Sequence, residues 1–415
     1  MTLRSVRFLV AAVTAALSLS LVPSASAATT FVVDDDGMAE LGNCDAATAT
    51  HATIQSAVDA AVASDIIHVC PGLYEESVTV PQDKPRLRLF GAQRGVDART
   101  RDVGVENESI VDPPADGSGF SLLATLSVLD GFTVTGADGN AGVSTSPLRT
   151  RYRVQNNIVE DNVFGLYLHS SGLERNTQIK FNRFANNNLP GSASGNGIYS
   201  DQGAQDIKIR ANSFSEHTNG AILFGYVEGV TNATILVQNN RSENDATFVN
   251  LFAASFVRIL QNRTSDTRNF DDGVQGSSIR VGGESNDILI ERNRLSKPAF
   301  SGIAIRDDVG FGAGVSNVQV FDNQVSGAEA NGLDVTSAVA GVVQAFDNDF
   351  LNSDGDGISM SADTRGNLIR RNRAGGSAVL DCHDDSVGAR TAGTANQWRN
   401  NRGDTDQPEG LCTPI

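Results

Sequence analysis

Two groups of residues have types that can do chemistry. The first is Tyr167, His169, Tyr199 and Asp201. A histidine oriented by a carboxylate and flanked by phenols can move a proton near neutral pH. The tyrosine rings can instead stack on sugar rings, and the same four residues also fit the solvated face of a strand. The second group is Asp271, Asp272, Arg280, Arg306, Asp307, Asp308 and Asp334. Carboxylates opposed across a groove serve glycoside hydrolysis, and a crowd of oxygens serves calcium. A salt-bridged acidic surface uses the same residue types.

Two further runs invite a metal. Asn352-Ser353-Asp354-Gly355-Asp356-Gly357 opens like a calcium loop, with Asp363 at its twelfth position. The glutamate expected at that position is missing, and Gly357-Ile358-Ser359-Met360 also reads as a strand, so a Gly-Asp turn is preferred. His383 stands among Asp381, Asp384 and Asp385, a single imidazole in an acidic run. None of these groups requires a cofactor; Ca2+ is the ion that Asp354, Asp356 and Asp363 would take.

What must position such residues is a repeat. Single asparagines recur at Asn157, Asn182, Asn212, Asn240, Asn262, Asn293, Asn323, Asn348 and Asn372, at intervals of 22 to 31 residues. A period in that range marks a stacked, quasi-one-dimensional fold. Before each asparagine runs an alternating stretch such as Ile179-Lys180-Phe181 or Val318-Gln319-Val320. A second stretch opens on glycine, as in Gly165-Leu166-Tyr167-Leu168, Gly197-Ile198-Tyr199 and Gly332-Leu333-Asp334-Val335. Alternation over four or five residues is a strand with one buried face. Asparagine suits the corner because its amide tolerates left-handed backbone and can bond to a like amide stacked above it. If Gly165 and Gly197 are equivalent, Tyr167 lies beside Tyr199 and His169 beside Asp201. Arg280 and Asp334 then share one file, two coils apart.

This pattern resembles the parallel β-helix repeats of the pectate-lyase-like superfamily over roughly residues 66–400. The resemblance implies an all-β fold, a single right-handed parallel β-helix, with coils roughly 4.8 Å apart. Thr53 to Val62 reads as a short amphipathic helix with Ile54, Val58, Ala61 and Val62 on one face. Helix, buried strand, Pro-Gly turn and Tyr-Glu strand in that order resemble the capping end of secreted β-helices, where a helix covers apolar core and unpaired edges. Residues 28–80 are therefore cap and first coils, 154–400 the Asn-marked coils, and 380–415 a C-terminal cap closed by Trp398. Asn396-Gln397-Trp398 repeats the corner motif once more. Residues 92–120 and 140–150 read as loops leaving the stack.

The N-terminus reads as a signal peptide over residues 1–27. Arg4 and Arg7 precede an apolar core from Phe8 to Val22, and Ala25-Ser26-Ala27 offers a cleavage site. The general secretory route and an extracellular location follow, with no membrane insertion after cleavage. Four cysteines allow three pairings; only Cys44–Cys70 with Cys382–Cys412 stays local, one staple for each cap. A net charge of −17 over 415 residues argues against nucleic acid and anionic membranes as partners. The sequons Asn240-Arg241-Ser242 and Asn262-Arg263-Thr264 use corner asparagines, so glycosylation is not expected there.

Three functions remain in view. The first is recognition, with or without cleavage by a lyase or hydrolase, of an extracellular polysaccharide. The chain has neither the Asn-Thr-Asp nor the Gly-His-Gly run of polygalacturonase-like hydrolases. The second is a non-catalytic surface or adhesin-like protein. The third is a maturation factor resembling exported copper-handling β-helix proteins, disfavoured by five His and three Met in all.

Overall fold

The computed structural model describes residues 27–36, 43–44, 49–102, 106–171, 176–269, 276–306, 314–336 and 343–415. Residues 1–26 of the expected signal peptide, and Asp271, Asp272, Asp307 and Asp308, lie outside them.

Strands here are two to seven residues long, too short to bury an apolar face alone. Stacking solves this. Among the described residues three all-parallel sheets form, of 14, 14 and 13 strands, and each strand pairs with those one coil before and after. The first sheet runs from Thr30–Val33 to Gln397–Arg399, the second from Gly72–Tyr74 to Cys412–Thr413, and the third from Val78–Val80 to Asp406–Gln407. Each coil visits them in that order, which makes a right-handed parallel β-helix.

Parallel register puts like residues in files. Inside the first sheet Val154, Ile179, Ile209, Val237, Ile259, Ile290, Val320, Ala345, Ile369 and Trp398 stack in one line. All are buried. Inside the second sheet Phe184 and Phe214 stack with ring centroids 5.2 Å apart. Burial of such apolar area is the main stabilising term.

The corner between first and second sheets is the predicted asparagine file. Asn157, Asn182, Asn212, Asn240, Asn262, Asn293, Asn323, Asn348, Asn372 and Asn401 are all buried. Each Oδ1 accepts from both the backbone N–H and the Nδ2 of the asparagine one coil earlier, except that Asn157 accepts from Phe132 N–H. Each Nδ2 also reaches a first-sheet carbonyl, as Asn212 does to Ile179 O at 3.0 Å. Every buried polar atom of these amides is thus satisfied.

Two expectations about this corner need correction. The left-handed residue is not the ladder asparagine but the one before it. Phe181, Gln261, Arg292 and their equivalents have φ between 53° and 60°. Left-handed backbone costs roughly 1–2 kcal/mol for such residues, and the ladder bonds offset it. Asn396 does not continue this file either. It receives Asn367 N–H and Nδ2 at another corner, while Asn401 follows Asn372.

Glycines open the third-sheet strands because the chain passes too close to its neighbours for a side chain. A Cβ on Gly165 would lie 2.5 Å from Gly197 O and 2.9 Å from the Phe184 ring. The intervals read as loops are partly in the stack. Ser109–Val111, Phe120–Leu122 and Ala141–Thr145 are strands. Residues 91–102 leave it, folding back along the flank so that Ala98 N–H reaches Phe181 O.

At the N-terminal end the helix is Ile54–Ala60, capped by Thr53, whose hydroxyl accepts from Ser56 N–H. The Glu76 carboxylate accepts Ile54 and Gln55 N–H at 2.6 and 2.8 Å. Ile54, Ala57 and Val58 face the core. Val62, expected on that face, lies beyond the helix and is 63% exposed. Disulfides Cys44–Cys70 and Cys382–Cys412 join as expected, with Cα–Cα distances of 5.8 and 6.3 Å.

Candidate functional site

The third sheet collects the candidate residues. On its outer side one file reads Ser144, Tyr167, Tyr199, Leu223, Asn250, Arg280, Ala304, Asp334, Ser359, His383 and Gln407. Tyr167 and Tyr199 of the first group, Arg280 and Asp334 of the second, and His383 therefore share one line along the helix axis. The neighbour relations drawn from the repeat hold: Tyr167 pairs with Tyr199, and Arg280 lies two coils from Asp334.

At the first group Asp201 is the hub. Tyr167 donates to Asp201 Oδ1 at 2.7 Å and Tyr199 to Oδ2 at 3.0 Å. Gln202 Nε2 donates to the Tyr167 hydroxyl at 2.7 Å. The two rings lie parallel, 9° apart with centroids 5.8 Å apart, and Phe164 meets both edge-on. One face of each ring is thus turned to its neighbour, which reduces what a sugar can stack on.

His169 lies beside Asp201 as expected but is not solvated: it is 1% exposed, its ring packed edge-on against the Tyr167 ring with centroids 4.0 Å apart. Its Nδ1 lies 3.2 Å from Thr145 O, which can only accept, so Nδ1 carries the hydrogen. Nε2 has no hydrogen-bond partner and lies 3.6 Å from Asp201 Oδ1. Burial holds the imidazole below its ordinary value, against the opposing pull of Thr145 O and Asp201. Burial, then the acceptor Asp201, also keeps both phenols protonated: Tyr199 is pushed up to about 12 and Tyr167 higher still. The cluster presents a carboxylate braced by two neutral phenols. It is poorly arranged to deprotonate a phenol near pH 7.

Further along the file Arg306 Nη2 bonds Asp334 Oδ2 at 3.0 Å, and Asp334 is buried. The guanidiniums of Arg280 and Arg306 lie over Phe252 and Phe300, at 5.1 and 4.9 Å from the ring centroids. Asn250, which sequence reading passed over, is buried beside Arg280 in register, with its Oδ1 unpartnered.

The calcium run is divided. Ile358–Met360 is a strand, Asp354 and Asp363 are exposed on either side of it, and Asp356 is buried. Asp356 Oδ2 lies 2.8 Å from His383 Nδ1 and its Oδ1 accepts Leu380 N–H. His383 Nε2 reaches Asp385 at 3.1 Å. Burial opposes charge on this imidazole, but Asp356 and then Asp385 outweigh it and raise His383 above its ordinary value. Asp384 and Asp381 turn elsewhere, to Trp398 Nε1 and to Asp404 N–H. Among the described residues no three His, Cys, Asp or Glu side chains form a group that could hold a metal ion.

No protein-family model matches this chain, and no curated protein matches its sequence. Among solved structures it is similar to the catalytic unit of a thermostable GH87 α-1,3-glucanase from Streptomyces thermodiastaticus strain HF3-3. That similarity has a TM-score of 0.61 at 14% identity and covers 86% of this chain and 66% of that one. An alginate lyase from Paenibacillus sp. str. FPU-7 matches with TM-score 0.48 at 14% identity over 71% and 91% of the two chains. Pectate lyase Pel9A matches with TM-score 0.48 at 14% identity over 82% and 80%. The class these observations define is the right-handed parallel β-helix. At these identities the likeness is one of fold.

Proposed function

We propose that this protein binds a linear extracellular polysaccharide along the outer side of its third sheet. The observation that carries the reading is the single file holding Tyr167, Tyr199, Arg280 and Asp334, with Asp201 and Arg306 beside it. A row of hydrogen-bonding groups, one coil apart, suits a repeating polymer better than a small molecule. A solved structure of the same fold carries the name of a glucanase, which supports a polysaccharide ligand in general. Two disulfides support an oxidising, extracellular setting.

Binding without turnover is favoured at the tyrosine cluster, because His169 is buried and both phenols resist ionisation. The test is affinity electrophoresis against uronate, glucan and mixed plant or bacterial polysaccharides, with ultraviolet and reducing-end assays on the same mixtures. Retention by at least one polymer, without new double bonds or reducing ends, is expected. Products appearing with any polymer would restore a lyase or hydrolase. Retention by none would end the proposal.

A further inference from the structure

The second sheet carries a different feature on a different face. The residue after each corner asparagine points outward, and these residues form a file: Arg183, Ser213, Arg241, Arg263, Arg294, Gln324, Asp349, Arg373 and Arg402. Arg241, Arg263 and Arg294 occupy three consecutive coils and are exposed. Arg183 is different; it bonds Glu160 at 2.9 Å and the Arg101 carbonyl at 3.0 Å, under the flank loop.

The three stacked arginines have no acid to answer them. Among the described residues none of their guanidiniums makes a hydrogen bond or ion pair. The nearby carboxylates are engaged elsewhere: Asp97 with Arg99, Glu291 and Asp322 with Arg292, and Asp266 with Lys297. Glu243 stands two residues beyond Arg241, in a neighbouring outward file that is otherwise Ser215, Ser265, Ser296 and Ser326. Like charges directly opposite on neighbouring strands destabilise a sheet. This chain has 49 acidic residues against 32 basic ones, yet it leaves that repulsion uncompensated here.

The arginines also shape the surface. Two adjoining hollows, of about 330 and 470 Å³, share Arg241, Arg263 and Arg294 in their walls. Ser265, Ser296 and Gln324 line the first, and Arg99 and Arg292 border the second. Arg99 is brought there by the flank loop, its guanidinium 5.5 Å from the Phe181 ring centroid.

We infer that this arginine file is a binding surface for an anionic glycan that carries a carboxylate or sulfate on successive sugars and lies along the helix axis. Guanidinium forks match planar or tetrahedral oxyanions bidentately. The coil spacing, roughly 4.8 Å, is comparable to the advance of one sugar residue, so successive anions meet successive arginines. The serine file offers hydroxyls beside them. Because the remainder of the molecule is strongly acidic, a polyanion is repelled elsewhere and confined to this groove. The inference is independent of the third-sheet reading.

The experiment measures binding of polygalacturonate, a heparin-type sulfated glycan, neutral dextran and a single-stranded DNA oligonucleotide at low salt. The full chain is compared with its Arg263→Glu and Arg399→Glu variants. One or both charged glycans bind and dextran does not; Arg263→Glu weakens that binding at least tenfold, and added salt releases it. Arg399→Glu, the same charge change on the first sheet, leaves it within twofold. Circular dichroism shows Arg263→Glu folded, since the side chain is exposed. Failure of both charged glycans to bind, an Arg263→Glu affinity within twofold of wild type, or tighter binding of DNA than of either glycan would each overturn the inference.

Discussion

Asn212 hands both its backbone N–H and its side-chain Nδ2 to the single Oδ1 of Asn240, at 2.9 and 3.1 Å, inside a corner where both residues are buried. Asn240 in turn donates to Ile209 O and to Asn262 Oδ1. Each rung therefore depends on the next.

Asn240→Ala strips several buried groups of their partners at once. Each unsatisfied group costs roughly 1–3 kcal/mol, so a loss of about 3 kcal/mol or more is expected in urea unfolding. A loss under about 1 kcal/mol, against the same scale, would mean the corner is wetter than described.

Removing the C-terminal staple should act through the unfolded chain. A disulfide closing a loop of 30 residues stabilises by about 3–4 kcal/mol in the loop-entropy treatment. The Cys382→Ser/Cys412→Ser pair should fall by that order, with amides near Trp398 exchanging faster than those near Asn212. Equal exchange in both regions would show that the cap is held without it.

Alkaline titration reports the tyrosines. Tyr74, Tyr152, Tyr167 and Tyr199 are all raised, chiefly by burial, with Tyr152 and Tyr199 pushed up to about 12. The unfolded chain ionises first, so stability is full below pH 10 and declines above it. Absorbance near 295 nm should show these four ionising only far above the ordinary value or on unfolding. Asp201→Asn should lower Tyr167 and Tyr199 but not Tyr152.

The C-terminal cap should weaken on the alkaline side of neutrality. His383 is raised in the folded state by Asp356 and Asp385. Its contribution is present below about pH 6.5 and disappears as pH rises through the raised folded value. His169, lowered by burial, has the opposite sign and weakens the fold in acid. The stability difference between wild type and His383→Gln should therefore shrink from pH 6 to pH 9. A constant difference would show that the two carboxylates do not hold an imidazolium.

The fold was readable because one residue type recurs at one corner and its neighbours alternate in polarity. That rule carried Tyr167 to Tyr199 and Arg280 to Asp334. It failed where a corner changes its residue. Between the second and third sheets Asn162 and Asn187 are continued by His217 and Asp245, whose Nδ1 and Oδ1 lie 2.6 Å apart, fully buried; no single letter marks that line. Asn396 misled because two corners of one coil both bury asparagines. The strands Ser109–Val111, Phe120–Leu122 and Ala141–Thr145 fall in stretches that read as loops because short strands are lost among Pro, Gly and Asp. His169 reads as solvated because strand parity does not show that the Tyr167 ring covers it. The arginine file is written in the sequence as the dipeptides Asn182-Arg183, Asn240-Arg241, Asn262-Arg263, Asn293-Arg294, Asn372-Arg373 and Asn401-Arg402, but a dipeptide does not show which carboxylates the fold brings to it.

Isothermal titration of the best-retained polysaccharide into wild type, Asp201→Asn and Tyr167→Phe/Tyr199→Phe tests the polymer-binding account most directly. Losing charge-assisted hydrogen bonds at the hub should cost each variant about tenfold in affinity, roughly 1.4 kcal/mol, with the β-sheet circular dichroism unchanged. Affinities equal to wild type in both variants would contradict the claim that the third-sheet file is where the glycan lies.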